Sequence, residues 1–539
     1  MLKGIGASQG YGIGRAVIIE DANLDYSAVK YQSAESEKTR LQAAVKEFIK
    51  VTVEMVESIK KSTGEKEAEI LEGHITMLND PFMISGMNEQ IDSGSVAEAA
   101  ADAVCQMFID MFSGIEDEMM RQRASDIKDI RDGLLGILLG VKKVDIGAVA
   151  KGSVLIAKDF TPSMTSQIKK ENVEAIVTEV GGITSHSAIL ARAMGLPAAL
   201  SATKATESIK NGDLLIVDGY TGEVFVNPDE AKVLEYTEKQ KQYLKEKEGL
   251  KIYLNKPTMT KSGEKKYVYG NIGKAADAET VLQNGGEGIG LFRTEFLFMD
   301  RDSEPSEEEQ YEAYSTVAKI FGDREVIIRT LDIGGDKAID YLSIEKEENP
   351  FLGYRAIRYC LDNKPLFKKQ LRALLRAAAC GNVKIMLPLV TEIEEVRAAK
   401  ELIAECEAEL KDEGVEYRSA PVGIMIETPS AAIISDLLAR EVEFFSIGTN
   451  DLTGYTMAVD RGNAKVSHLY DAFKPSVLRA IEMTIKNAKE AGIMVGMCGE
   501  AAANSELIPK LIEWGLDEFS VTPSTILQTR KTICETDIR

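Results

Sequence analysis

Hydrophobic and polar positions change period along the chain. Residues 1 to about 25 alternate as a strand does (GRAVIIE). From about 33 to 143 apolar residues fall at helical spacing in a stretch rich in Ala, Glu, Lys, Met and Leu, with Pro81 its only proline. This second stretch predicts several long helices forming a bundle. Short β-like runs follow: SVLIA (153–157), VEAIVTEV (173–180) and a hairpin, DLLIVDGYTGEVFVNP (213–228), with the helix HSAILARAM between them. The simplest arrangement is one α/β domain built from residues 1–25 and 145–228, with residues 26–144 inserted into it as the helical bundle.

Residues 229–255 are charged and helix-favouring and read as a helical linker. Across 256–539 the runs GIGLF, EVIIRTLDI, VKIMLPLV, VGIMIE, FFSIG, IMVGMCG and EFSVTP alternate with helical ones. Alternation over about 290 residues predicts a (β/α)8 TIM barrel, with a doubly wound open sheet as the competing architecture. The fold class is therefore an α/β multidomain protein: a C-terminal TIM barrel and an N-terminal α/β domain carrying an inserted helical bundle.

Composition narrows the function. A chain of 539 residues, 44% hydrophobic and 28% charged, is globular and multidomain. No apolar stretch is long enough to span a membrane, and the glycine-rich start does not read as a signal peptide, so a cytoplasmic setting is expected. Six scattered cysteines without a CxxC pair argue against a zinc site or a disulfide scaffold. A formal charge of −22 disfavours nucleic acid and anionic lipid and suits a basic protein partner.

In a barrel, chemistry collects where strands end. Just past the predicted strands stand Arg293, Arg329, Glu427, Asn450, Asp451, Arg461 and Cys498, with Arg355 on a connecting segment. Converging arginines suit a small substrate bearing phosphate and carboxylate, and Glu427 and Asp451 offer hard oxygens for a divalent ion, usually Mg2+. Taken singly, each residue has a bland reading as a surface ion pair or helix cap; the shared placement favours the site. Cys498, in GMCGE, reads either as a small buried hydrophobe or as a thiol that protonates an enolate carbon.

The chain has three histidines. His74 lies in the helical region, read as a contact-surface position, and His468, in VSHLY, has no distinctive setting. His186 in GGITSHSAILARAMG is different: it stands in the first turn of a helix, where free N–H groups favour an anion and the glycines allow close backbone approach. Neutral imidazole is a good nucleophile toward phosphorus. Thr184 and Ser185 supply nearby hydroxyls.

These segments together, from GGITSHSAILARAMGLPA through GIGLFRTEFLFMDRD, IIRTLDIGGDK, NPFLGYRAIR, GIMIETPSA and SIGTNDLTGYTMAVDRGN to GMCGE, closely resemble the enzyme I family of the bacterial phosphoenolpyruvate-dependent sugar phosphotransferase system. The resemblance covers essentially the whole chain. It implies that His186 takes the phosphoryl group of phosphoenolpyruvate and passes it to a histidine of the carrier protein HPr. It further implies that Arg293, Arg329, Asn450, Asp451 and Arg461 bind phosphoenolpyruvate with help from Arg355, that Glu427 and Asp451 hold Mg2+, and that Cys498 protonates enolpyruvate. On the same ground the inserted helices dock HPr, Thr165 supports the active histidine with Thr184 and Ser185, and the barrels pair into a homodimer.

Four positions depart from the family pattern: Ile183 replaces a basic residue, Gly454 a glutamine, Ser201 a glycine, and Lys474 lies where HP is common. Two rival readings are weighed. A pyruvate phosphate dikinase or phosphoenolpyruvate synthase needs an ATP-binding domain for which no segment is spare. A divergent paralogue acting as a phosphoenolpyruvate sensor or feeding a regulatory phosphorelay need not keep His186, Cys498 and the carboxylates together. The nucleophile and the anion pocket lie in different halves, so the expected mechanism includes domain motion about residues 228–255.

Overall fold

The computed structural model describes residues 1–19, 24–62, 65–113, 118–141, 146–165, 167–182, 185–299, 301, 303–334, 339–342, 344, 347–460, 463 and 465–538. It divides into two compact units, Met1–Glu246 and Lys247–Arg539.

The first unit is built on an eight-stranded sheet of β1 (Leu2–Lys3), β2 (Ile5–Ser8), β3 (Tyr11–Ile19), β4 (Ser153–Ala157), β5 (Val173–Thr178), β6 (Ala198–Leu200), β7 (Leu214–Asp218) and β8 (Glu223–Val226). The spatial order is β1-β8-β7-β3-β4-β5-β6-β2. β3 pairs in parallel with β4 from Arg15↔Ser153 to Ile19↔Ala157. That pairing closes the sheet over the long helical excursion between them, so the bundle is an insertion. β4 is buried on both faces: Leu155 packs with Ile176 and Ala188, while Val154 and Ile156 pack with Val177 and Val217. A strand covered on both faces loses the apolar–polar alternation of a half-exposed one.

The excursion contains α1 (Ala34–Ser62), α2 (Glu65–Leu78), α3 (Pro81–Asp92), α4 (Ala97–Ser113) and α5 (Glu118–Leu139). Pro81 starts a helix and breaks none: it is the first residue of α3, and the Asp80 carboxylate accepts from the Phe82 N–H at 2.8 Å. Ala97, Ala100 and Ala101 of α4 let it approach Leu41, Met87 and Ile130 closely. His74 is 1% exposed and lies within this bundle, with Nε2 3.5 Å from Asp126 Oδ1. The surface position read for it from sequence is therefore corrected. After β4 the chain forms α6 (Pro162–Thr165), α7 (His186–Met194), α8 (Ala205–Ser208) and α9 (Glu230–Leu250), and the boundary between the units falls within α9.

The second unit is a closed barrel of β9 (Tyr267–Ile272), β10 (Ile289–Arg293), β11 (Val326–Arg329), β12 (Val383–Leu387), β13 (Val422–Ile426), β14 (Phe444–Gly448), β15 (Met494–Cys498) and β16 (Glu518–Val521). Every neighbouring pair is parallel, and β16 closes on β9 from Glu518↔Tyr267 to Val521↔Gly270. Closure rules out the open doubly wound sheet. β9, in YVYGNI, was absent from the seven predicted runs: tyrosines, a glycine and Asn271 mask its apolar character, although Val268 to Ile272 are all buried.

Candidate active site

The site forms at the C-terminal ends of the barrel strands. Arg293 ends β10, Arg329 ends β11, Glu427 follows β13 and Cys498 ends β15. Asn450 and Asp451 begin the helix Thr449–Met457 directly after β14. With Arg355 they line one cavity of about 250 Å³. Thus Arg293, Arg329, Arg355, Asn450, Asp451, Glu427 and Cys498 are brought together. Arg461 lies outside the described residues.

The arginines are held by acids. Arg329 Nη2 is 2.7 Å from Glu295 Oε1 and 3.0 Å from Asp332 Oδ2. Arg355 Nη2 is 2.8 Å from Asp332 Oδ1 and 3.4 Å from Asp451 Oδ2, and its Nη1 donates to Tyr455 Oη at 3.3 Å. Asp332 therefore bridges the two guanidiniums. Burial works against both charges, but Glu295 and Asp332 around Arg329, and Asp332 and Asp451 around Arg355, outweigh it and raise both pKa values. Arg293 Nε is buried without a hydrogen-bond partner among the described residues, a donor left for a ligand.

Glu427 is 2% exposed, and burial together with Asp451 and Asp332 pushes its carboxyl up to about 8. The cavity lining counts three guanidiniums (Arg293, Arg329, Arg355) against four carboxylates (Glu295, Asp332, Glu427, Asp451). Among the described residues, that set has no net attraction for a polyanion without a cation. A divalent cation at Glu427 and Asp451 fits both facts, since it ionises Glu427 and reverses the sign of the field. Among the described residues no group of three or more His, Cys, Asp or Glu could hold a metal.

Cys498 is 4% exposed, and burial pushes its thiol up to about 12. It keeps its proton at neutrality and is no thiolate nucleophile there. Glu295, Asp332 and Asn271 line the same cavity and escaped the sequence reading. Two carried a signal: Glu295 and Asp332 follow Arg293 and Arg329 by two and three residues, so reading both signs of charge at the strand ends would have found them.

In the first unit, His186 is the first residue of α7, and Ser185 caps the helix, its Oγ accepting from the Ala188 N–H at 3.3 Å. The first turn of α7 is therefore fixed by a side-chain cap. The side chain of His186, and Thr184 and Ile183 altogether, lie outside the described residues. Thr165 is buried in α6, which packs against α7. Gly181 has φ 107°, and Ser201, itself at φ 55°, donates from Oγ to the Gly181 carbonyl at 2.7 Å. A left-handed backbone explains why a glycine suits position 201. Gly454 lines a second cavity beside the mouth and leaves room for a side chain. Lys474 pairs with Asp471 at 3.4 Å.

Comparison with known proteins agrees with this geometry. Residues 247–538 match the family described as PEP-utilising enzyme, PEP-binding domain; residues 3–123 match its N-terminal domain and 149–222 its mobile domain. The chain is 44% identical to a phosphoenolpyruvate-protein phosphotransferase of Priestia megaterium, over 99% of this chain and 93% of that one. It is 43% identical to one of Bacillus subtilis, over 99% and 94%. A solution structure of an enzyme I protein is 34% identical, covering 45% of this chain and 99% of its own, with a TM-score of 0.40, too low to carry an argument. Closed barrel, polar mouth and full-length similarity lead to one conclusion: the chain belongs to the phosphoenolpyruvate-protein phosphotransferases, a family of PEP-utilising enzymes.

Proposed function

We propose that this enzyme moves the phosphoryl group of phosphoenolpyruvate to the imidazole of His186 and then to a histidine of HPr, the first step of sugar uptake by the phosphotransferase system. The observation that carries this reading is the barrel mouth, where Arg329 and Arg355 share Asp332 beside Glu427, Asp451 and Cys498. Arg293, Arg329, Arg355 and Asn450 orient the phosphate and carboxylate of the substrate, and Arg461 joins them. Glu427 and Asp451 would hold Mg2+, which when bound would supply positive charge against the substrate's oxygens. Once the phosphorus has left, the thiol of Cys498 gives its proton to C3 of enolpyruvate and pyruvate results. Ser185 holds the N-terminus of α7 as an anion site for the phosphorylated imidazole, with Thr184 and Thr165 supporting it.

Residues 1–25 and 145–228 form the phosphohistidine domain, 26–144 the HPr-docking bundle, 229–255 the linker and 256–539 the phosphoenolpyruvate-binding barrel. HPr docks on the inserted helices, barrels pair into a homodimer, and the enzyme works in the cytoplasm; among the described residues no helix is long and apolar enough to cross a membrane. The test is incubation with phosphoenolpyruvate labelled in its phosphoryl group, with and without Mg2+ and HPr. The expected result is an acid-labile, base-stable label that is absent in His186→Ala and chased onto HPr. A label retained in that variant overturns the reading.

A further inference from the structure

Below Cys498 the β14–β16 sector of the barrel interior is polar, beside an apolar cluster of Leu291, Ile327, Met386, Met425 and Phe444. Ser446 on β14, Gly496 on β15 and Glu518 on β16 lie in one row across three strands, and Cys498 is two residues beyond Gly496, on the same face of β15. Glu518 is fully buried, and among the described residues neither of its oxygens has a partner in hydrogen-bond geometry. Glycine makes its space: a Cβ at Gly496 would lie 2.0 Å from Glu518 Oε2, and one at Gly290 2.5 Å from Oε1. Ser446 Oγ is likewise buried and without a partner in hydrogen-bond geometry among the described residues. Its hydroxyl sits against the Cys498 thiol and favours the thiolate. Two buried polar groups, the Ser446 hydroxyl against the Cys498 thiol and the Glu518 carboxyl, thus flank a position with no side chain to separate them.

The groups facing Glu518 are Tyr269 of β9, Glu325 before β11, Lys384 of β12, its neighbour Asp517, and Ser520. Burial, then Glu325 and Asp517, raise the Glu518 carboxyl well above its ordinary range, and Lys384 and the Met497 backbone oppose them. Lys384 Nζ is 2.6 Å from Glu325 Oε1, and Tyr269 Oη donates to Glu325 Oε2 at 3.1 Å. Lys384 and Glu325 are 13% and 24% exposed, so the floor end of the column meets solvent.

We propose that Glu518 and Ser446 form an internal proton relay that reloads Cys498 from the floor of the barrel while product still fills the mouth. The inference rests on the reading of Cys498 as the proton donor. As the C–H bond forms at C3 of enolpyruvate, the Cys498 S–H bond breaks and leaves a thiolate. The Ser446 O–H proton passes to sulfur. One intervening water molecule gives a proton to the Ser446 oxygen and takes the proton of Glu518, whose carboxylate is reprotonated by solvent water beside Glu325 and Lys384. The net change is one proton from solvent to the methyl group of pyruvate.

The test uses the full chain as Glu518→Gln and Ser446→Ala. Two steps are read separately: single-turnover labelling of the protein from phosphoenolpyruvate, and deuterium entry into the methyl group of pyruvate incubated with the enzyme and Mg2+ in D2O. Both variants are expected to label within about twofold of the parent and to deuterate at least about tenfold more slowly, the size of a lost proton-transfer group. Deuteration at the parental rate in both variants, or labelling and deuteration falling in parallel, overturns the proposal. Cys498→Ala reads the assignment beneath it. If that variant also deuterates normally, Cys498 is not the acid; if it alone is slow, only the path from Glu518 fails.

Discussion

Leu389 holds Glu427 from behind: its backbone N–H, carried in a left-handed conformation at φ 55°, donates to Glu427 Oε1 at 2.7 Å. A non-glycine residue kept in that region costs about 1 kcal/mol or more, and here it fixes the Glu427 carboxyl.

The same carboxyl makes stability depend on pH. A carboxyl raised from 4.5 to about 8 on folding contributes stability below pH 4.5 that is lost as pH rises through 8, because only the unfolded chain releases the proton over that window. The melting temperature of metal-free protein should therefore fall between pH 5 and pH 8 more steeply than that of Glu427→Gln. Mg2+ should remove the difference by stabilising the ionised form. Parallel pH profiles for the two proteins without metal would contradict the assignment.

Arg329 is the counter-charge of two buried acids, Glu295 and Asp332. Arg329→Gln takes this guanidinium from Glu295 and leaves Asp332 to Arg355 alone, and the expected loss is about 3 kcal/mol, read as a lower urea midpoint at unchanged slope. An unchanged midpoint would mean that the acids are neutral without it.

Ser201 separates a hydrogen bond from a backbone strain. Ser201→Ala keeps the left-handed φ and loses the bond to Gly181, so it should destabilise by about 1 kcal/mol; Ser201→Gly loses the bond but relieves the strain. Glycine should therefore be the more stable of the two variants in thermal unfolding.

Ser185→Ala removes the cap of α7, worth about 1 kcal/mol. Faster amide exchange in the first turn of α7 and slower phosphorylation of His186 are expected together. Faster exchange with unaltered phosphorylation would reduce Ser185 to a structural cap.

Cys498→Ala should slow pyruvate formation more than it weakens phosphoenolpyruvate binding. With its thiol pushed up to about 12, the parental enzyme should lose no activity to thiol ionisation up to pH 9. Equal loss of rate and affinity in the variant would mark a packing residue.

Much of this was legible because local chemistry is written locally. Period separates strand from helix, and the motifs GIGLFRTEF, IIRTLDIGG and SIGTNDL set arginine and acid directly after apolar runs, where a barrel strand must end. Asp80 with Pro81, and Ser185 with His186, mark helix starts by hydrogen bonds that span only a few residues. The chain order alone could not show that β9 closes on β16, that Asp332 joins Arg329 to Arg355, or that Glu518 lies over Gly496. Those relations depend on ring closure and on which side chains then share one buried space. Burial also decides the charges, since the same carboxyl or thiol in water would titrate near its ordinary value, and only removal from solvent beside particular neighbours moves Glu427 and Cys498 away from it.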